Sequence, residues 1–412
     1  MRVQILVVLV FSEESDVFEL DLNGKMVCEY LLESLNKQQE NDPTMSIAVW
    51  NHSVRLCEKY RNFAEFRLTE LRNTILQGQG LLILDSRAWL SPAILSRIFS
   101  RAQSAKRGFR ISESNNDIFA SYRESMTLGV YLPPQAFHNN PFVSELLRVG
   151  SGLEQALHSE IIANTTKVTC RQLGAPYGAL LITSYVDLAQ FERFLLRGRT
   201  IDLMKRGIRI HDPNSFYLRG ELICGAGVIF EPNVIIEGIV SLGDGVKVGA
   251  NSILRNCQIG AETTINPFSL LEQSTVGSRS FIGPFGRIRP GCNIGDNVQI
   301  GNYVEIKNSR IGDGSRINHH TFIGDALLFG QVTIGAGTIT CNHDGVRIHR
   351  TVIEEGAYIG SGCNLVAPLK VGKNAVVGAG STITQNVPSE KLTIARQKQT
   401  TIDLRPLRKL KG

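Results

Sequence analysis

No run in this 412-residue chain approaches the roughly 18 apolar residues of a membrane-spanning helix, so no such span is expected. The eight cysteines (Cys28, Cys57, Cys170, Cys224, Cys257, Cys292, Cys341 and Cys363) include no C-x-x-C pair and form no regular framework. That argues against a disulfide scaffold and for reduced thiols in an intracellular, cytoplasmic setting. Charge is nearly balanced, with 44 Lys and Arg against 38 Asp and Glu, a net +6 spread without a dense basic run. Small anionic ligands suit such a chain better than nucleic acid. The apolar opening VQILVVLVF is short, follows a single basic residue and runs into EESD, so it reads as a first strand and not as a signal sequence.

What the sequence does have is a period. From Val276 to Ile306 an aliphatic residue stands at every sixth position: Val276, Ile282, Ile288, Ile294, Ile300 and Ile306. The pattern recurs at Ile311, Ile317 and Ile323, and from Ile353 through Ile359, Leu365, Val371 and Val377 to Ile383. Six is too long for a helical turn and too regular for a loop; it marks a coil of short parallel strands. At three hexapeptides per turn, residues 221 to 388 make about nine coils. The period breaks at DALLFGQVT and at CNHDGVRIHRTV, and both breaks are expected to emerge as loops, the second being the first place to look for chemistry.

Residues 1 to about 218 alternate strand and helix patterns: strands at 3–11, 45–50 and 81–85, helices at 25–37, 52–60 and 91–103, the last opened by Ser91 and Pro92. A mostly parallel sheet covered by helices follows. The expected organisation is an α/β domain over 1–187, a helical arm over 188–218, a β-helix over 219–389 and a tail over 390–412.

Three groups of residues are candidates for chemistry. His319 and His320 share one repeat, and strand alternation would let only one of them point outward, where a neutral imidazole can take a proton from an attacking amine. A solvated turn histidine is the plainer reading. Arg289 and Lys307 lie 18 residues apart, which stacks them on one face of successive turns, placed to grip one phosphate or simply solvated. His319, His320, His343 and His349 match no compact metal motif, so no metal site is expected.

IGPFGRIRPG, IGNYVEIKNSRIGDGSRINHHTFIGDA, IGAGTITCNHDG, IGSGCNLVAPLKVG and AVVGAGSTITQNVP resemble, in order and spacing, the acetyltransferase half of a known family. It is the bifunctional UDP-N-acetylglucosamine pyrophosphorylase/glucosamine-1-phosphate N-acetyltransferase family, and the match is dense over residues 217–397. The resemblance implies a left-handed parallel β-helix, a homotrimer with sites between subunits, and acetyl transfer from acetyl-CoA to the amine of glucosamine 1-phosphate, in cytoplasmic UDP-N-acetylglucosamine and cell-wall synthesis. It puts His319 at the general base, Arg289 and Lys307 at the sugar phosphate, and Asn342 beside the thioester. Ala336, Ser361, Ala379 and Arg396 match acetyl-CoA contacts. Departures are specific: Phe322 and His343 replace tyrosines, Thr333 a sugar-contacting Asn, and Ile348 a Lys.

The N-terminal half departs further. The family's first loop is Gly-rich and carries Arg; here VFSEESDVFELDLNG brings Glu13, Glu14, Asp16, Glu19 and Asp21 to where a triphosphate would sit. Those charges repel phosphate. NGKMVCEYLLESL and the 187–220 segment still resemble the family's layout, and Asp85, in the place of its metal-binding Asp, is either a remnant of that magnesium ligand or a plain strand-end carboxylate. The expectation is a degenerate, Rossmann-like nucleotidyltransferase domain without uridylyltransferase activity or magnesium, followed by an active acetyltransferase. The alternatives are a non-catalytic trimeric homologue that binds sugar nucleotide and an enzyme that keeps both activities. Lys398, Arg405 and Arg408 of the basic tail are either a solvated end or partners of the CoA phosphates.

Overall fold

The computed structural model describes residues 4–10, 21–22, 25–50, 64–65, 79–85, 88–105, 107, 109–112, 127–132, 166–169, 179–182 and 184–402. The acidic segment after the first strand, the helix expected over 52–60, and Arg405 and Arg408 fall outside the described residues, apart from Val10, Asp21 and Leu22 of that segment. The chain divides into two compact units, Met1–Phe194 and Leu195–Gly412.

Among the described residues, the first unit holds a mixed seven-stranded sheet. Ile5–Val10 pairs in parallel with Met45–Trp50 on one side and Gly80–Asp85 on the other. An uninterrupted apolar run such as ILVVLV suits a strand flanked and covered on both sides. Thr127–Leu132 departs from the parallel pattern and runs antiparallel to both Gly80–Asp85 and Phe109–Ser112. Gly129 permits that approach, since a Cβ there would lie 2.6 Å from the Ile83 carbonyl oxygen. Ser91 caps the helix Pro92–Ser104 by accepting a 3.3 Å bond from the Ile94 N–H, and Ile94, Leu95, Ile98, Phe99 and Ala102 form its buried stripe. Asp85 is buried at its strand end.

The second unit is a parallel β-helix. One face stacks eleven strands, from Arg209–Ile210 to Leu392–Thr393, and the other two faces run together in a 17-stranded ladder. The coil is therefore longer than the hexapeptide count from residue 221, because its first rung lacks the Ile-Gly signature. Each short strand turns one aliphatic inward: Ile282, Ile288, Ile306, Ile317 and Ile323 are wholly buried. At about 25 cal/mol per Å² of apolar surface, such a ladder is the main source of the unit's stability.

One expectation changes here. DALLFGQVT does not loop out: Ala326–Leu328 pairs in register with Arg310–Ile311 and Thr351–Ile353, and Leu328 takes the inward place. Leu had hidden a rung that Ile marks elsewhere. The second break does leave the coil, between Ile339–Cys341 and Thr351–Ile353, as a hairpin closed by a backbone bridge between His343 and Ile348.

Corners require left-handed backbone. On one of them Asn233, Asn251, Phe268, Phe285, Tyr303 and His320 all have φ between 54° and 60°, and Gly337, Gly362 and Gly380 continue the column. Phe268, Phe285, Tyr303 and His320 stack ring on ring at 5.0, 4.8 and 5.0 Å. Above His320 the column is bare glycine.

Candidate active site

His319 and His320 are both exposed, because the preceding strand ends at Ile317 and both fall in the turn. Strand alternation therefore does not choose between them; the corner does. His320 takes the left-handed position and caps the ring stack, while His319 occupies the residue before it. The His319 carbonyl accepts from Gly337 N at 3.0 Å, as Ala336 O accepts from Gly362 N and Ser361 O from Gly380 N, both at 2.8 Å. His319, Ala336, Ser361 and the residue before Gly380, Ala379, thus stand in one column over four rungs, about 14 Å at ~4.8 Å per rung. The glycines beside them leave an open gutter. Arg396 ends it: its Cδ lies 3.8 Å from where a Cβ on Gly380 would be.

Asn302 continues this column one rung below, and its Oδ1 is hydrogen-bonded to His319 Nδ1. With the amide oxygen as acceptor Nδ1 carries the N–H, and in a neutral imidazole the lone pair is then on Nε2.

The face between this corner and the next carries the cations. The register that pairs Ile288 with Ile306 sets Arg289 beside Lys307, as their spacing predicts. Both have carboxylate partners: Arg289 Nη1 lies 2.8 Å from Glu305 Oε1, and Lys307 Nζ lies 3.8 Å from Asp325 Oδ2. Charges alternate down the same face, with Arg287 and Arg255 both on Glu272, and Arg255 also on Glu237. Burial acts to raise the Glu272 carboxyl, but the Arg287 and Arg255 guanidiniums outweigh it and hold the group below its ordinary range.

Phe322 lies above Glu305 on that face, and Lys307 pairs with Gly324. A Cβ on Gly324 would lie 2.7 Å from the Phe322 ring and 2.8 Å from Asn342 Nδ2, so the glycine leaves room for both side chains. Asn342 Nδ2 donates to Asp325 Oδ2 at 2.5 Å, and Asn308 Nδ2 to Asp325 Oδ1 at 2.6 Å. Asp325 is 6% exposed. Motifs do not mark Asp325, Asn302 or Gly324; the one available signal is an acid in a corner column that also holds Gly238, Asn256, Gln273, Gly291 and Asn308.

Not every expected residue shares this face. Thr333 lies on the adjacent one, between Arg316 and Tyr358. His343 is exposed and ties back into its own hairpin, its Nδ1 accepting from Gly345 N at 3.1 Å. Asp344 locks that hairpin by accepting from Val346 N at 2.8 Å, Arg347 N at 2.6 Å and His349 Nε2 at 2.6 Å. The Arg347 amide first, then His349, hold the Asp344 carboxyl far below the ordinary range. Ile348 is exposed beside them. Among the described residues, no group of three or more His, Cys, Asp and Glu side chains is arranged to hold a metal ion.

Residues 291–325 and 350–385 match the bacterial transferase hexapeptide family, so the second unit carries the repeats of that class. Curated relatives named bifunctional protein GlmU are similar at about 45% identity. One from Aromatoleum aromaticum is 44% identical over 253 residues, covering 61% of this chain and 56% of the relative. Another, from Ralstonia pickettii, is 46% identical over 229 residues, covering 56% of this chain and 50% of the relative. The chain thus spans about half the length of the curated relatives it matches. A solved Francisella novicida UDP-N-acetylglucosamine acyltransferase aligns at 19% identity and a TM-score of 0.29 over 45% of this chain and 66% of that one, too slight a likeness to bear on function.

Proposed function

We propose that the second unit transfers an acetyl group from acetyl-CoA to the amine of an amino-sugar phosphate, with glucosamine 1-phosphate as the substrate, in cytoplasmic UDP-N-acetylglucosamine synthesis. The observation that carries this reading is the single column of His319, Ala336, Ser361 and Ala379, which sets a basic imidazole at one end of a glycine-lined gutter and Arg396 at the other. A thin pantetheine arm fits such a gutter, with Arg396 toward the CoA phosphates. His319 Nε2 takes the proton as the amine nitrogen attacks the thioester carbonyl, and the CoA sulfur leaves. Arg289 and Lys307 hold the sugar phosphate, with Phe322 beneath the ring. Thr333 stands on the next face, between Arg316 and Tyr358, which suits a homotrimer in which a second copy brings it to the sugar.

The first unit is assigned no uridylyltransferase activity, on the strength of Glu13, Glu14, Asp16, Glu19 and Asp21. Two assays test the whole reading. Free CoA release from acetyl-CoA and glucosamine 1-phosphate is expected from the native chain and lost in His319→Ala; a trimeric native protein with no turnover overturns it. Pyrophosphate release from UTP, magnesium and N-acetylglucosamine 1-phosphate is expected to stay at background; robust release would overturn the assignment of the first unit.

A further inference from the structure

The acid at Asp325 calls for a physical reason. Its corner column is otherwise served by neutral residues, and Asn256, Gln273 and Asn308 take the same left-handed backbone, at φ 50°, 40° and 43° against 50° for Asp325. An amide would therefore satisfy the turn. A carboxylate that is 6% exposed carries a desolvation cost that an amide does not. What an amide lacks is a second acceptor. Asp325 uses Oδ1 for the Asn308 amide and Oδ2 for the Asn342 amide, with Lys307 Nζ 3.8 Å from the latter oxygen. An ionised carboxylate only accepts, so the group that each asparagine turns toward it must be the NH2, and each amide oxygen must face away.

We propose that Asp325 is a positioning residue for acyl transfer, turning Asn342 so that its carbonyl oxygen, and not its NH2, faces the reacting amine. This rests on the reading above, in which Asn342 lies beside the thioester. An acceptor there takes an N–H of the substrate amine and directs the nitrogen lone pair at the carbonyl carbon, while the proton that must leave goes to His319 Nε2. Asn342 then orients the nucleophile and does not donate to the oxyanion. Asp325 also offsets the charge of Lys307, so one carboxylate links the phosphate grip to the amine's orientation.

The test is a double-mutant cycle on the full-length protein with acetyl-CoA and glucosamine 1-phosphate. Asp325→Asn keeps the shape but leaves one acceptor oxygen for two amide donors. It is expected to lower kcat by about 10- to 100-fold, as a misdirected nucleophile does. The KM for acetyl-CoA is expected to stay within about twofold, and the KM for the sugar phosphate not to rise, because Lys307 loses its counter-charge. In an Asn342→Ala background the same substitution is expected to cost nothing further. An unchanged kcat, equal factors in both backgrounds, or a fall in kcat matched by a rise in both KM values with a lowered melting temperature would overturn the proposal. Native protein without turnover would overturn the acetyltransferase reading and this role with it; native turnover with additive effects would overturn this role alone.

Discussion

His319 Nδ1 is hydrogen-bonded to the side-chain oxygen of Asn302, its counterpart one rung below. The coil thus stacks the imidazole on its hydrogen-bond partner by the same rung-to-rung register that stacks the core. His319→Ala is expected to lower kcat by roughly 10²- to 10⁴-fold, the usual contribution of a general base. Asn302→Ala should lower it by about tenfold to a hundredfold, since the ring remains but is less well aimed. Steady-state kinetics of both variants, with melting temperatures to confirm folding, check this order.

Phe322 presents a ring without a hydroxyl beside Glu305, on the face that carries Arg289 and Lys307. Phe322→Tyr adds one polar group and no bulk to the backbone. One net hydrogen bond contributes about 0.5–1.5 kcal/mol, so the KM for glucosamine 1-phosphate is expected to fall by roughly two- to tenfold, with the KM for acetyl-CoA unchanged. A KM for the sugar that does not move would remove Phe322 from its pocket.

Gly324→Ala drives a methyl to within 2.7 Å of the Phe322 ring and 2.8 Å of Asn342 Nδ2. Overpacking of this kind costs about 1–3 kcal/mol. Lower thermal stability and lower kcat should appear together, and Phe322→Leu in the same chain should restore part of the stability. A neutral Gly324→Ala in thermal unfolding would contradict the packing described here.

The Asp344 hairpin gives a pH dependence with a definite sign. Its carboxyl is held below its unfolded value, so it supports the hairpin above the ordinary carboxylate range, and that support is lost as pH falls through the lowered folded value. Amide exchange at Val346 and Arg347, corrected for intrinsic rates, should stay protected from neutral pH down into the usual carboxylate range and fail only well below it. Asp344→Ala should abolish the protection at every pH.

The inward ladder was legible because one aliphatic every six residues has no other common cause, and the cations because 18 residues is one full turn of a three-sided coil. The first break looks like a loop in the sequence because Leu328 fills an inward place where other rungs carry Ile followed by Gly, so strand pairing is what reveals the rung. The choice between His319 and His320 depends on which residue of a corner takes positive φ, which neighbouring histidines do not announce. Asp325 was missed for a different reason: its partners Asn308 and Asn342 are each 17 residues away, and nothing local links them.

The parallel coil has one further consequence. Each rung leans on its neighbours, but among the described residues the last strand of its face, Leu392–Thr393, has a neighbour on one side only. In a one-dimensional stack, fraying begins at such ends. The rungs that bear Ala379 and Arg396 would peel before those that bear Arg289 and Lys307. Under the proposed assignment of those rungs, mild heating is expected to weaken acetyl-CoA binding before sugar-phosphate binding.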